Sequence, residues 1–192
     1  DKGRVIVAHT DITDFTEAEL RKIRRKVTMV FQNGALFDSL TVGENILFSL
    51  ELREDYNEQN KEDVVDGLLR MVELEDYRDA YPTDLSVGHK RAVAIARALA
   101  AQPQCILYDE PTTMVDPIMG GHLATLMLRL KHQLKLTSVV VTHDLELMRE
   151  VADRVVVLYQ GEVIYFGAVK DIDACPHPHI HEFLAMDRVE FG

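Results

Sequence analysis

The chain has 192 residues, 47% of them hydrophobic and 28% charged, the balance of one ordinary globular domain with room for a small appendage. Its formal net charge of −11 sets the surface against DNA, RNA and anionic lipid, so no nucleic-acid partner is expected. No apolar run approaches the roughly 18 residues of a membrane span, and the opening DKGRVIVAH lacks the apolar core of a signal peptide; the expectation is a cytosolic chain, without membrane insertion of its own, free or docked on the cytosolic side of a membrane.

In chain order, RVIVAH (Arg4–His9) reads as a short strand. Thr16-Glu17-Ala18-Glu19 is a capping-box pattern that opens a helix through about Arg25, and its basic cluster RKIRRK alternates with apolar residues like a solvated helix face. Val27 to Phe31 is a β-rich run that ends on Gln32. Thr41 to Glu44 is a second capping box, followed by Ile46, Leu47 and Leu50 at helical spacing. The polar stretch Arg53–Lys61 connects to a helix bearing Val64, Val65, Leu68, Leu69 and Val72. A helical subdomain is therefore expected over about 41–101.

After Pro103 the pattern changes. CILY is a short buried strand, Ile118–Leu136 a helix, TSVVVTH a strand, Leu145–Val151 a helix and RVVVLY a strand, which Gln160-Gly161 turns into EVIYFG. Strands alternating with helices predict an α/β fold with a parallel sheet and helices packed on it. A helical tail is expected over about 168–192. Cys105 and Cys175 lie outside any CxxC pattern, so reduced thiols are expected, with Cys105 a small core residue.

Four places carry candidate chemistry. Asp109 and Glu110 follow an apolar strand, at the end where open α/β sheets bind ligands. Two adjacent carboxylates there suit a cation and a polarised water; alone, they could equally be a solvated strand end. Ser86 and Gly88 stand at the start of a helix, where free N–H groups attract anions, although a serine there is often only a cap. His143 ends a third strand, and Gln32 ends the first. Each alone is weak.

Their order is specific. Strand–Gln32, a helical region, Ser86–His89 entering a helix, strand–Asp109-Glu110-Pro111, Asp116, then strand–His143 resembles the ABC ATPase family over essentially all 192 residues. The resemblance implies a P-loop NTPase-like fold with a helical subdomain. It makes Gln32 the Q-loop residue and Ser86–His89 the signature. Asp109 becomes the Walker B aspartate facing Mg²⁺, with Gln32 as a further Mg²⁺ contact; Glu110 the catalytic glutamate; Asp116 the D-loop residue; and His143 the switch histidine. ATP and Mg²⁺ are the implied cofactors.

FQNGALFDSLTVGENILF, YDEPTTMVDPIMG and LTSVVVTHD further resemble the ATPases of Mce/Mla-type phospholipid transporters. That resemblance implies a homodimer bound to an integral membrane permease, peripheral on the cytoplasmic face of the inner membrane. The family's phosphate loop, GxxxxGK[ST], is not in the chain, whose ten glycines include no two five apart. The simplest expectation is a single, N-terminally truncated cassette whose 192 residues alone would be inactive; the alternative is a protein that by itself does not grip phosphate. Val87 stands where the family usually has glycine, and His89 where the subfamily usually has an uncharged residue. These departures favour a regulatory subunit with weak hydrolysis as one alternative; a soluble, non-transport ATPase is another. The alternating His177, His179 and His181 look like a metal site, but match an ordinary polar helix entry.

Overall fold

The first apolar run folds back on itself rather than forming one strand. In the computed structural model, which describes residues 2–53 and 56–186, Ile6–Val7 (β1) pairs antiparallel with Thr10–Asp11 (β2). The turn residues Ala8 and His9 both have positive φ, 46° and 65°, as a tight two-residue hairpin requires. Neither is glycine or asparagine, so the sequence carries no turn signal there. Glu54 and Asp55 of the polar stretch, and residues 187–192 of the expected tail, lie outside the described residues.

Helix α1 (Glu17–Lys26) opens on Thr16, whose N–H donates to the Glu19 carboxylate at 2.8 Å. It buries no residue, and Arg24 pairs with Glu17; the basic cluster is a solvated face, as expected. Strand β3 (Val27–Val30) follows directly.

Three helices then pack together: α2 (Val42–Glu51), α3 (Lys61–Met71) and α4 (Val87–Ala100), linked by short 3₁₀ turns at Glu58–Asn60, Glu75–Tyr77 and Pro82–Asp84. No strand occurs among the described residues of this stretch. Thr41 caps α2 reciprocally with Glu44, at 2.7 and 3.2 Å. Ile46, Leu50, Val65, Leu69, Val93 and Ile95 are buried where the helices meet. Each such side chain contributes about 1.5–3 kcal/mol on burial.

Strands β4 (Cys105–Asp109) and β5 (Thr137–Val141) complete a parallel sheet in the order β3-β4-β5. Val30 lies opposite Tyr108, and Tyr108 opposite Val140. Alternation along the strands divides two faces. Val30, Ile106 and Tyr108 are buried on one, while Met29 and Val139 are exposed on the other. Cys105 lies on the less covered face and is only half buried, a correction to its expected place in the core. Strand β5 stops at Val141, which leaves Thr142 free to accept a hydrogen bond from Asp144 N–H at 3.0 Å.

Helix α5 (Pro117–Leu134) ends at Lys135, in the left-handed conformation common after a helix. Helix α6 (Leu145–Val151) leads to β6 (Arg154–Tyr159) and β7 (Glu162–Ala168). These two strands form an antiparallel hairpin of their own across Gln160-Gly161, both with positive φ, instead of extending the parallel sheet. A 3₁₀ turn (Val169–Ala174) precedes α7 (Pro178–Met186), whose Ile180 and Leu184 join Ile172, Leu145 and Val155 in a second core. His179 pairs with Glu182 at 2.9 Å, and no cluster able to hold a metal occurs among the described residues. No described helix is long and apolar enough to cross a membrane.

Candidate functional site

Because β3, β4 and β5 run parallel, their carboxyl ends share one edge of the sheet. Gln32 follows β3, Asp109 closes β4 with Glu110 next to it, and His143 follows β5. A pocket at this edge is lined by Gln32, Asp109, Val87, Arg91 and Met114, among others. The structure thus brings two of the expected groups, Gln32 and Asp109, to one cavity beside the start of α4.

Glu110 and His143 form a pair of their own. The Glu110 carboxylate accepts from His143 Nδ1 at 2.9 Å and from the Thr113 hydroxyl at 3.1 Å. Glu110 N–H donates to the Val141 carbonyl at 2.9 Å. These bonds hold Glu110 at φ 47°, in the left-handed region. A non-glycine residue there costs on the order of 1–3 kcal/mol and persists only where its surroundings enforce it. Thr112 donates to Asp144 at 2.8 Å, and Asp144 caps α6, so the segments after Glu110 and after His143 are tied together.

The hydrogen bond to Glu110, and then its charge, raise the His143 pKa above 6.5. Since the folded value is raised, any stabilisation from the pair is complete below the ordinary histidine pKa and is lost as pH rises through the higher one. The imidazole is largely exposed, which keeps that contribution small. In an NMR titration His143 should lose its proton at a pH above 6.5, and Glu110→Gln should return it towards that value. An identical midpoint in both proteins would show that the carboxylate does not govern this histidine.

Ser86 and Asp116 both cap helices. The Ser86 hydroxyl accepts from His89 N–H at 3.2 Å, and the Asp116 carboxylate from Met119 N–H at 3.0 Å. Gly88 joins the two helix starts: a Cβ there would stand 2.9 Å from the terminal methyl of Met119. The Met119 Cβ would lie 3.1 Å away, so a side chain at residue 88 would make Met119 move and α4 and α5 give slightly, and glycine spares both shifts. Val87 is 40% exposed and lines the pocket, while the His89 ring lies 4.9 Å from that of Tyr77. The expected residues therefore fall into three adjoining groups: the pocket, the Glu110–His143 pair and the two helix starts.

Sequence reasoning missed the residues that brace this edge. Asn45 is fully buried; its amide oxygen accepts from Phe37 N–H at 2.8 Å and its amide nitrogen donates to the carbonyls of Phe37, Leu40 and Thr41. Arg97 donates to the carbonyls of Ala35 and Gly34, at 2.6 and 3.0 Å. Arg91, 3% exposed, reaches the carbonyls of Phe31 and Thr113. A signal existed: Asn45 adjoins Ile46 on the buried side of α2, and Arg91 lies on the same α4 face as Gly88 and Ile95. A polar side chain on an apolar helix stripe has a buried partner to find.

A family model described as "ABC transporter" matches residues 1–113. A methionine import ATP-binding protein of Photobacterium profundum is 40% identical over 174 residues, covering 91% of this chain and 50% of the relative. The corresponding protein of Carboxydothermus hydrogenoformans is 39% identical over 183 residues, covering 95% and 54%. The chain spans about half the length of these curated relatives. Among solved structures, the dimeric ATP-binding cassette MJ0796 bound to ADP and Pi matches at TM-score 0.78 and 35% identity, covering 88% of this chain and 74% of that one. The CbiO1 protein of Clostridium perfringens, part of the transporter complex CbiONQ, matches at TM-score 0.82 and 27% identity, covering 98% and 73%.

Proposed function

The chain belongs to the ABC transporter ATP-binding family, and from that premise we propose that it is the ATP-binding and ATP-hydrolysing part of a transporter, acting as one of two copies beneath a membrane permease. We read it as one domain, with a helical subdomain over about 41–101, working on the cytoplasmic face of the inner membrane. The observation that carries the proposal is the Glu110–His143 contact at the strand ends, beside a pocket containing Asp109 and Gln32.

In this reading Glu110 accepts the proton of the attacking water, and His143 donates to the γ-phosphate as that water adds. Asp109 and Gln32 offer two oxygens to Mg²⁺, a number that fits an ion completing its shell with phosphates and water. When bound, Mg²⁺ neutralises charge developing on the phosphate oxygens. Ser86 and Gly88 offer N–H donors and a hydroxyl to the ATP of a second copy, with Asp116 beside the seam. The 192 residues contain no GxxxxGK[ST] loop, so the grip on the β-phosphate is not theirs to supply. The reading with weak hydrolysis draws on the two signature departures: Val87, whose 40% exposed side chain stands where the family has bare backbone, and His89.

The cargo divides two readings. The GALFDSLTV and Asp116-Pro117-Ile118 stretches favour a phospholipid, as their resemblance implies, whereas the relatives described above are named for methionine import. Stimulation of ATP turnover by purified phospholipid or by methionine, in the reconstituted transporter, separates them.

The permease is proposed to sit on the loop after Gln32. Leu36 packs into the core, but Ala35 is exposed and Phe37 is 43% exposed, edge to face with an equally exposed Phe48 at 4.9 Å. Phe37→Asp should leave the melting temperature within about 2 °C of wild type, a surface-sized effect, while transporter assembly on affinity resin is lost. A variant that unfolds would place Phe37 in the domain's own packing instead.

A further inference from the structure

Arg91 is a buried cation that the chemistry above does not use. It is 3% exposed, burial pushes its pKa down, and among the described residues no carboxylate pairs with it. Its Nε finds no hydrogen-bond partner. Its two terminal nitrogens reach the carbonyls of Phe31 and Thr113, at 3.3 and 3.4 Å, both longer than an optimal bond. A buried, under-satisfied guanidinium is a poor stabiliser, since an apolar side chain of similar size would avoid its desolvation cost. Its position offers another role. Phe31 precedes Gln32, Thr113 lies between Glu110 and Asp116, and Arg91 itself follows the Ser86–Gly88 helix start. One planar fork therefore touches the segments that carry all three groups of the candidate site.

We infer that Arg91 is a positioning residue that couples the Gln32 segment to the Glu110–Asp116 segment through α4. The groups a chain turns to its own ATP then shift together with those it offers to the second copy. The long, incomplete hydrogen bonds suit a contact that must re-form between two arrangements. This inference rests on the ATPase reading for its consequence, but not for its geometry.

The test uses the protein as its own gene encodes it, assembled with its permease. Arg91→Met keeps the side-chain bulk and removes both donors. It should retain or raise the melting temperature, lower kcat about tenfold, leave KM for ATP within about twofold, and bring the Hill coefficient for ATP down towards one. Arg91→Lys keeps the charge but cannot span two carbonyls, and should behave like Arg91→Met. Amide hydrogen exchange reads the coupling without ATP: segments 31–35 and 113–116 should both exchange faster in Arg91→Met, while α4 keeps its protection. Wild-type kcat and cooperativity in Arg91→Met, or full activity in Arg91→Lys, would overturn the inference. So would an Arg91→Met protein that loses its fold together with its activity, because Arg91 would then be structural. A wild-type protein without ATP turnover would sink the ATPase reading, and the exchange data would still decide whether Arg91 links the two segments.

Discussion

Glu110→Gln should bind ATP and lose turnover by a factor of about 10² or more. The substitution changes one atom's chemistry and little else. A carboxamide oxygen still accepts from Thr113 and His143, so the contacts that hold residue 110 at φ 47° survive. What is lost is a group that can take a proton from water. The loss should therefore fall on kcat, with KM and melting temperature close to wild type, the pattern of an interaction made only in the transition state. Phosphate release measures the first quantity and equilibrium binding of labelled ATP the second. Unchanged turnover would remove Glu110 from the chemistry and reduce its pairing with His143 to a structural contact.

Asn45→Ala should be among the most destabilising single changes at this edge. One fully buried carboxamide holds the loop from Phe37 to Thr41 against the start of α2. Alanine leaves the Phe37 N–H and the Leu40 carbonyl without the partner that Asn45 supplies, at about 1–3 kcal/mol each, while the Phe37 carbonyl keeps its bond from Leu40 N–H at 3.1 Å. The expected loss is about 3 kcal/mol, a fall in melting temperature on the order of 10 °C for a chain of this size. Because the same loop presents Phe37, permease binding should weaken in step. Asn45→Asp should also be costly, since a carboxylate cannot donate to the three carbonyls. Thermal unfolding by circular dichroism checks both. A fall of less than about 2 °C for Asn45→Ala would mean that water satisfies the Phe37 N–H and the Leu40 carbonyl in its place.

The parts of this fold that obey a period were legible in the sequence. The Thr16 and Thr41 capping boxes start α1 and α2 where they should, and the apolar spacing behind Thr41 and in α4 marks buried faces. The strands that lead to Gln32, Asp109 and His143 were readable because short β-rich runs alternate with helices, and their parallel pairing then forces the three ends to one edge. What escaped depends on backbone conformation and on contacts far apart in sequence. Ala8 and His9 turn a strand into a hairpin with no glycine to announce it. The left-handed backbone of Glu110 comes from bonds to Val141, Thr113 and His143, which no local pattern encodes. The antiparallel β6–β7 pair follows from Gln160-Gly161, a turn visible in the sequence that folds the two strands on each other instead of onto the parallel sheet. Arg91 and Asn45 carry a legible sign of their role, as polar residues interrupting apolar stripes.

The central claim is that two copies of this chain close around ATP and part when it is hydrolysed. Light scattering of the Glu110→Gln protein, as its own gene encodes it, tests this most directly. With ATP and Mg²⁺ the mass should double, because hydrolysis no longer releases the pair and the contacts at Ser86, Gly88 and Asp116 outweigh the repulsion between chains of like charge. Without nucleotide, or with Ser86 and Gly88 replaced, it should remain that of one copy. A Glu110→Gln protein that stays monomeric with ATP and Mg²⁺ would contradict the account, leaving Ser86 as a helix cap and Gly88 as a packing residue.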